Sequence, residues 1–194
     1  MKISGLQKTT LIDYPGEVAC TLFLYGCNFR CGFCHNPEIV IRDFEEGFSE
    51  ENILNFLKER KGKLDAVCIT GGEPLMSLDL DFVKKIKEIG YKIKVDTNGS
   101  FPNRLKEMVD LGLVDYVAMD IKAAKKNYSK VVNVVVIPHQ VNSVRSRTLL
   151  YLVIVGSLKV AKILKCLSSS LNKKRSSYHP NSSIMDESSI INIL

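Results

Sequence analysis

Asp65-Ala66-Val67-Cys68-Ile69-Thr70-Gly71-Gly72-Glu73-Pro74 is an apolar, partly β-branched run that stops at two glycines, an acid and a proline. Such a run, bounded by turn residues, reads as a strand over Asp65 to Thr70 that ends at Gly71. The next segment is helical: Phe82, Val83, Ile86 and Ile89 fall on one face between about Leu80 and Ile89. The same alternation repeats outward in both directions. Upstream, Val18 to Tyr25 reads as a strand, and Ser49 caps a helix to about Arg60. Glu50 and Glu51 suit the positive first turn of that helix, and Ile53, Leu54, Phe56 and Leu57 form its apolar face. Downstream, Tyr91 to Thr97 is a third strand, Pro102 to Leu111 a helix, and Val114 to Ile121 a fourth strand. Asn98-Gly99 could make a hairpin turn, but the helical pattern after it argues for a strand-to-helix loop. Strands alternating with helices imply an α/β fold with a parallel sheet and right-handed crossovers, about four βα units in all.

The 194 residues suffice for one domain with a real core or two small ones. With 45% hydrophobic and 25% charged residues, the chain is neither collagen-like nor wholly disordered. The start, Met1-Lys2-Ile3-Ser4-Gly5-Leu6-Gln7-Lys8, lacks the apolar core of a secretory signal, which predicts a cytoplasmic protein. In that reducing compartment six cysteines are expected to be metal ligands, catalytic thiols or small buried hydrophobes rather than disulfides.

The net charge of +6 suggests nucleic acid or membrane partners until it is divided along the chain. Residues 1 to 130 carry 19 basic and 19 acidic residues, whereas the last 64 carry 8 basic and 2 acidic. The first part gives no reason to expect nucleic acid binding. Thr148 to Leu158 is uncharged, but Lys159, Lys162 and Lys165 interrupt it well short of the ~20 residues of a membrane span.

Gly26-Cys27-Asn28-Phe29-Arg30-Cys31-Gly32-Phe33-Cys34-His35-Asn36-Pro37 places three thiols in eight residues directly after the first strand. Thiolates this close converge on a soft metal centre. Cys31-Gly32-Phe33-Cys34-His35 matches the c-type haem attachment pattern, and Cys31 with Cys34 matches a thioredoxin-like redox pair, but both leave Cys27 idle. Structural zinc held by the three thiols and His35 is a further reading, although adjacent Cys34 and His35 point different ways. The fourth reading is an iron–sulfur cube held by three thiolates, with one iron open to a ligand. Cys20 and Cys68 fall inside strands and read as buried hydrophobes.

Cys27-x3-Cys31-x2-Cys34, with Phe33 before the last cysteine and Gly71-Gly72-Glu73-Pro74 at the next strand end, resembles the radical S-adenosylmethionine superfamily. Residues 5 to 16, Cys34-His35-Asn36-Pro37, Asp96-Thr97-Asn98-Gly99 and Tyr116 to Lys122 resemble its glycyl-radical-enzyme activating proteins, above all those of anaerobic ribonucleoside-triphosphate reductase. The resemblance covers residues 1 to about 130. It implies a partial (βα) barrel, a [4Fe-4S] cluster on Cys27, Cys31 and Cys34, and S-adenosylmethionine on the open iron. It also implies an oxidoreductase that makes a 5′-deoxyadenosyl radical and takes a glycine hydrogen from a partner enzyme. A flavodoxin- or ferredoxin-like protein would supply the electron. Gly71, Gly72 and Glu73 would meet the methionine ammonium and Phe33 the adenine, with Asn98 and Lys122 near the cofactor. Asp96, Thr97 and Asp120 match residues that, in related activating enzymes, hold a monovalent cation beside the methionine carboxylate. The alternatives are a radical enzyme acting on a small molecule and a zinc-stabilised binding module without catalysis.

In that family six βα units form the barrel, and the last two are not recognisable here. Residues 1 to 130 contain 5 Ser and 11 Gly, whereas the last 64 residues contain 12 Ser and 1 Gly. A break this abrupt, without strand-helix periodicity, is what an out-of-frame reading near codon 130 would give. The alternative is a natural short form whose basic, Ser-rich tail is disordered or faces a membrane.

Overall fold

The computed structural model describes residues 1–41 and 47–134. The expectations for the tail beyond 134, including its frame, a membrane-facing segment and Cys166, lie outside the described residues.

The described residues contain five strands, β1 (Ile3–Thr10), β2 (Ala19–Leu24), β3 (Ala66–Gly71), β4 (Lys92–Thr97) and β5 (Tyr116–Met119). They form one sheet in the order β1-β2-β3-β4-β5, with β1 antiparallel to β2 and every later pair parallel. The helices are α1 (Pro37–Ile41), α2 (Glu50–Glu59), α3 (Leu80–Ile89), α4 (Pro102–Asp110) and α5 (Tyr128–Val132). The expected α/β class and parallel crossovers are therefore present. β4 and β5 run parallel, so Asn98-Gly99 is a strand-to-helix loop rather than a hairpin turn.

Local chemistry sets the helix ends. Ser49 caps α2 by accepting from the backbone N–H of Asn52 at 3.1 Å. Asp79 caps α3 through Oδ1, which accepts from the N–H groups of Asp81 and Phe82. Gly90, at φ 95°, closes α3 in the left-handed conformation that glycine adopts without a Cβ penalty.

Alternation along the strands divides the side chains between two faces. Cys20, Leu22 and Leu24 of β2, Val67 and Ile69 of β3, Ile93 and Val95 of β4, and Val117 of β5 pack in one core with α2, α3 and α4. Each large side chain buried there stabilises the fold by about 1.5–3 kcal/mol. Tyr91 ties the start of β4 to α2, its hydroxyl donating to the Leu57 carbonyl at 2.8 Å. The opposite face is more polar. Ala19, Ala66 and Cys68 pack there with Tyr14 and Tyr116, beside Thr21, Lys94 and Asp96.

Two strands differ from the sequence reading. β1 is not among the expected strands, because its middle, Gln7-Lys8-Thr9, is exposed and carries no apolar alternation. Backbone pairing to β2, with register shifts on either side of Gly5 to Gln7, holds it as an edge strand. β5 is also shorter than the expected Val114 to Ile121. Just before it, Asp115 keeps a backbone bond to the Ile93 carbonyl at 2.9 Å, but its carboxylate takes the Ile93 N–H at 2.6 Å and pairs with Lys87 at 2.7 Å. Beyond the expected boundary at 130, Val132 is fully buried and its carbonyl accepts from the Arg30 N–H at 2.9 Å.

Candidate functional site

Pairing of Leu24 with Gly71, Ile69 with Val95 and Thr97 with Met119 brings the C-terminal ends of β2 to β5 to one edge of the sheet. Parallel sheets place their ligands at that edge, where the βα loops open outward. A cavity of about 620 Å³ lies there, lined among others by Cys27, Cys31, Cys34, Gly71, Asp96 and Lys122. Phe33, Gly72, Thr97, Asn98 and Asp120 line it as well. Glu73 is therefore the one residue of the expected site that does not line the cavity.

The cysteine loop is held from below. Phe29 and Tyr128 meet edge to face at 6.1 Å between ring centroids and, with Val132, form a small core against which Cys27 and Cys31 pack. Burial raises the Cys27 thiol pKa, and the nearby Glu73, Cys31 and Cys34 raise it further, while the Phe29 N–H bonded to its sulfur at 3.3 Å works the other way. Burial also raises Cys31, which the Lys122 ammonium partly offsets. Thiols whose protons are held in this way at Cys27 and Cys31 favour a cationic partner that would take the protons' place. The Cys20 and Cys68 thiols are buried and pushed up to about 12, so the reading of both as hydrophobes agrees with their surroundings.

The two glycines are required by the protein itself. A Cβ on Gly71, whose φ is +121°, would lie 2.3 Å from the Leu24 carbonyl oxygen. On Gly72 it would lie 1.9 Å from the Gly26 carbonyl oxygen. Their smallness thus lets β3 lie against the root of the cysteine loop, a contact between segments that the sequence reading of a ligand-binding or tight turn does not include. The Glu73 N–H donates to that same Gly26 carbonyl at 2.8 Å.

Glu73 is fully buried behind the cavity rather than exposed to a ligand. Its Oε1 accepts from the Thr97 hydroxyl at 2.7 Å and the Leu75 N–H at 3.1 Å, and its Oε2 from the Asn98 N–H at 2.6 Å. Burial raises its pKa despite these three donors. The acid is a brace between the ends of β3 and β4. Through it Asn98 is aimed at the cysteine loop, its side-chain amide donating to Asn28 Oδ1 at 3.0 Å and reaching Cys27 Sγ at 3.8 Å.

Phe33 is half exposed, and the Lys122 ammonium stands 5.7 Å from its ring centroid. Lys122 also pairs with Asp120. Asp96 pairs with Lys94, whose Nζ lies 2.5 Å from Oδ1.

A family model described as the radical SAM superfamily matches residues 21–141, more than half of the chain. The chain belongs to the radical SAM superfamily. A Methanocaldococcus jannaschii protein named as a glycyl-radical enzyme activating enzyme is 36% identical over 132 residues, covering 67% of this chain and 54% of its own length. The pyruvate formate-lyase-activating enzyme of Clostridium pasteurianum is 31% identical over 127 residues, covering 62% and 52%. A Halobacterium salinarum protein named as a GTP 3′,8-cyclase is 34% identical over 94 residues, covering 45% and 26%. The chain spans about half the length of the activating-enzyme relatives it matches.

Within this radical SAM chain, the sequence reading misses the residues that support the site. Asn28 and Ser100 frame Asn98, Phe29 and Tyr128 carry the loop, and Lys94 faces Asp96. One signal for Lys94 is legible: Lys92, Lys94 and Asp96 alternate along β4 on the face opposite Ile93 and Val95. Charged residues repeated on one face of an otherwise buried strand mark a polar interior. Among the described residues, no helix is long and apolar enough to cross a membrane.

Proposed function

We propose that this chain acts on a glycyl radical enzyme, such as an anaerobic ribonucleotide reductase, as its radical S-adenosylmethionine activating protein. The observation that carries the reading is the gathering of Cys27, Cys31, Cys34 and the Gly71-Gly72 turn around one cavity at the strand ends. The donor set fits a [4Fe-4S] cluster. Among the described residues no three His, Cys, Asp or Glu side chains converge as a single ion requires. Thiols spaced around a cavity suit a cluster, in which each takes its own iron.

Cys27, Cys31 and Cys34 would hold the cluster, which, with S-adenosylmethionine on its open iron, supplies one-electron cleavage to a 5′-deoxyadenosyl radical. The chain's own residues position and shield that chemistry. The backbone at Gly71-Gly72 would meet the methionine ammonium, and Glu73 fixes that turn against Thr97 and Asn98 from behind. Asn98 turns its amide toward the Cys27 sulfur, and donors that support a metal ligand in this way tune it. Phe33, half exposed with Lys122 beside it, would lie against the adenine. A flavodoxin- or ferredoxin-like donor would deliver the electron, in the cytoplasm.

The relatives named as activating enzymes support a protein partner. The relative named as a GTP 3′,8-cyclase favours a second reading, a small-molecule substrate. Anaerobic reconstitution of the full chain with iron and sulfide tests the site, with about four irons per chain expected and lost in Cys27→Ala. Tightly held zinc with no iron would overturn it. A glycyl radical signal, formed when the reduced protein is mixed with an anaerobic ribonucleotide reductase, would separate activation from small-molecule chemistry.

A further inference from the structure

The resemblance implies a monovalent cation on Asp96, Thr97 and Asp120, and the geometry does not fit one. At Asp96 the Lys94 ammonium already stands 2.5 Å from Oδ1, on a side chain only 9% exposed. That oxygen is buried and takes no regular hydrogen bond, so the ammonium is its counter-charge. The Thr70 hydroxyl hydrogen-bonds to the same carboxylate. At Thr97 the hydroxyl donates to Glu73 Oε1 at 2.7 Å and accepts from the Gly99 N–H at 3.1 Å. The Thr97 carbonyl accepts from the Asp120 N–H at 2.9 Å. At Asp120 the carboxylate pairs with Lys122. Both carboxylates are thus matched by an ammonium, and Asp13, the other carboxylate facing Asp96, takes the Thr21 hydroxyl at 2.6 Å, so a metal ion entering among them would have to displace an ammonium already in place.

Lys94 is placed by the fold rather than by chance of rotamer. It lies two residues before Asp96 on β4, so the two side chains share a face. The Tyr116 ring on β5 lies 6.0 Å from its ammonium. A charge delivered on a strand loses no translational freedom when it occupies its site, and it cannot exchange with solvent ions.

We propose that Lys94 is a built-in cation: its ammonium orients Asp96 at the end of β4, in the place a sodium or potassium ion holds in related activating enzymes, so this chain binds S-adenosylmethionine without either ion. The proposal rests on the S-adenosylmethionine reading above and adds a positioning residue to it.

The test uses the full chain, reconstituted anaerobically and titrated with S-adenosylmethionine. The supporting salt is tetramethylammonium chloride or, at equal ionic strength, potassium or sodium chloride. The wild-type dissociation constant should agree within about twofold across the three salts. Lys94→Met leaves Asp96 without its charge, so it should bind about tenfold or more weakly in tetramethylammonium and recover in potassium or sodium. Lys94→Arg, which keeps the charge, should stay insensitive to the salt. Wild-type binding that weakens about tenfold without sodium and potassium would overturn the proposal alone, because S-adenosylmethionine would still bind. No binding in any salt would overturn the cofactor reading and this proposal together. Sodium-23 linewidths without S-adenosylmethionine give an independent readout. Excess broadening by Lys94→Met but not by wild type supports the lysine as the ion's replacement, and equal broadening by both refutes it.

Discussion

Gly72→Ala and Gly32→Ala alter two glycines beside the same cavity, and the structure assigns them opposite outcomes. At Gly72 the added methyl would lie 1.9 Å from the Gly26 oxygen, 2.5 Å from its carbonyl carbon and 3.1 Å from the Cys27 nitrogen. All three are backbone atoms, so no side chain can rotate away. The Gly26-Cys27 segment must move, and the 2.8 Å bond from the Glu73 N–H to Gly26 breaks with it. Overpacking costs about 1–3 kcal/mol, and a buried backbone group left unpaired costs about 1–3 kcal/mol more. For a domain of this size, a total of about 2–6 kcal/mol lowers the melting temperature by roughly 5–20 °C. Gly32 has open space within 4 Å and no positive φ, so its alanine variant should melt within about 2 °C of wild type. Thermal melts of the iron-free proteins measure both. Geometry supplies a second readout, since displacing Gly26 exposes Cys27 and should speed its alkylation in Gly72→Ala only. A Gly72→Ala protein that melts within 2 °C of wild type and labels at the same rate at Cys27 would refute the close-approach argument.

Burial holds the pKa of Glu73 above its ordinary 4.5, so the folded state keeps that proton to higher pH than the unfolded chain does. The contribution of Glu73 to stability therefore falls as pH rises from 4.5 through its folded value, and Glu73→Gln should flatten this part of a urea-denaturation profile. The same variant should lose about 1–3 kcal/mol at neutral pH, because an amide cannot accept from all three donors. A slope unchanged in Glu73→Gln would count against the assignment. In the native iron-free protein at pH 8, iodoacetamide labelling and peptide mapping should show Cys27, Cys31 and Cys34 modified. Cys20 and Cys68, buried and pushed up to about 12, should label only after denaturation, and early labelling of either would contradict their packing. Tyr91→Phe removes the bond to the Leu57 carbonyl and should cost about 0.5–1.5 kcal/mol in the same denaturation assay. A neutral result would mean that this bond contributes nothing net.

The parallel sheet is legible in the sequence because its strands are buried on both faces and its helices are amphipathic, so each element carries its own periodic signal. Ser49 and the Leu80–Ile89 helix can be placed almost to the residue for that reason. β1 cannot, since backbone pairing to a neighbour holds it and its side chains carry little of that signal. The three cysteines are legible as a group because their spacing along one loop is a local property, and the structure places all three on one cavity. Glu73 reads as a ligand when the Gly71-Gly72-Glu73-Pro74 turn is taken alone. Its burial behind the cavity depends on where β4 lies beside β3, and only the sheet decides that.

Lys94 shows the same division. Its type and its alternation with Asp96 are written in the sequence, but β4 alone does not say whether that face meets water or a polar interior. Closure of Tyr14, Cys68 and Tyr116 over the same face makes it an interior, and there the ammonium finds Asp96 rather than solvent. The sequence by itself determined the alternating strands and helices after β1, the grouping of three thiols on one loop and the family, all of them properties of residues close together in the chain. Tertiary structure decided which polar groups brace the site and which face the cavity, because those contacts join strands 24 to 71 residues apart and form only when the sheet assembles.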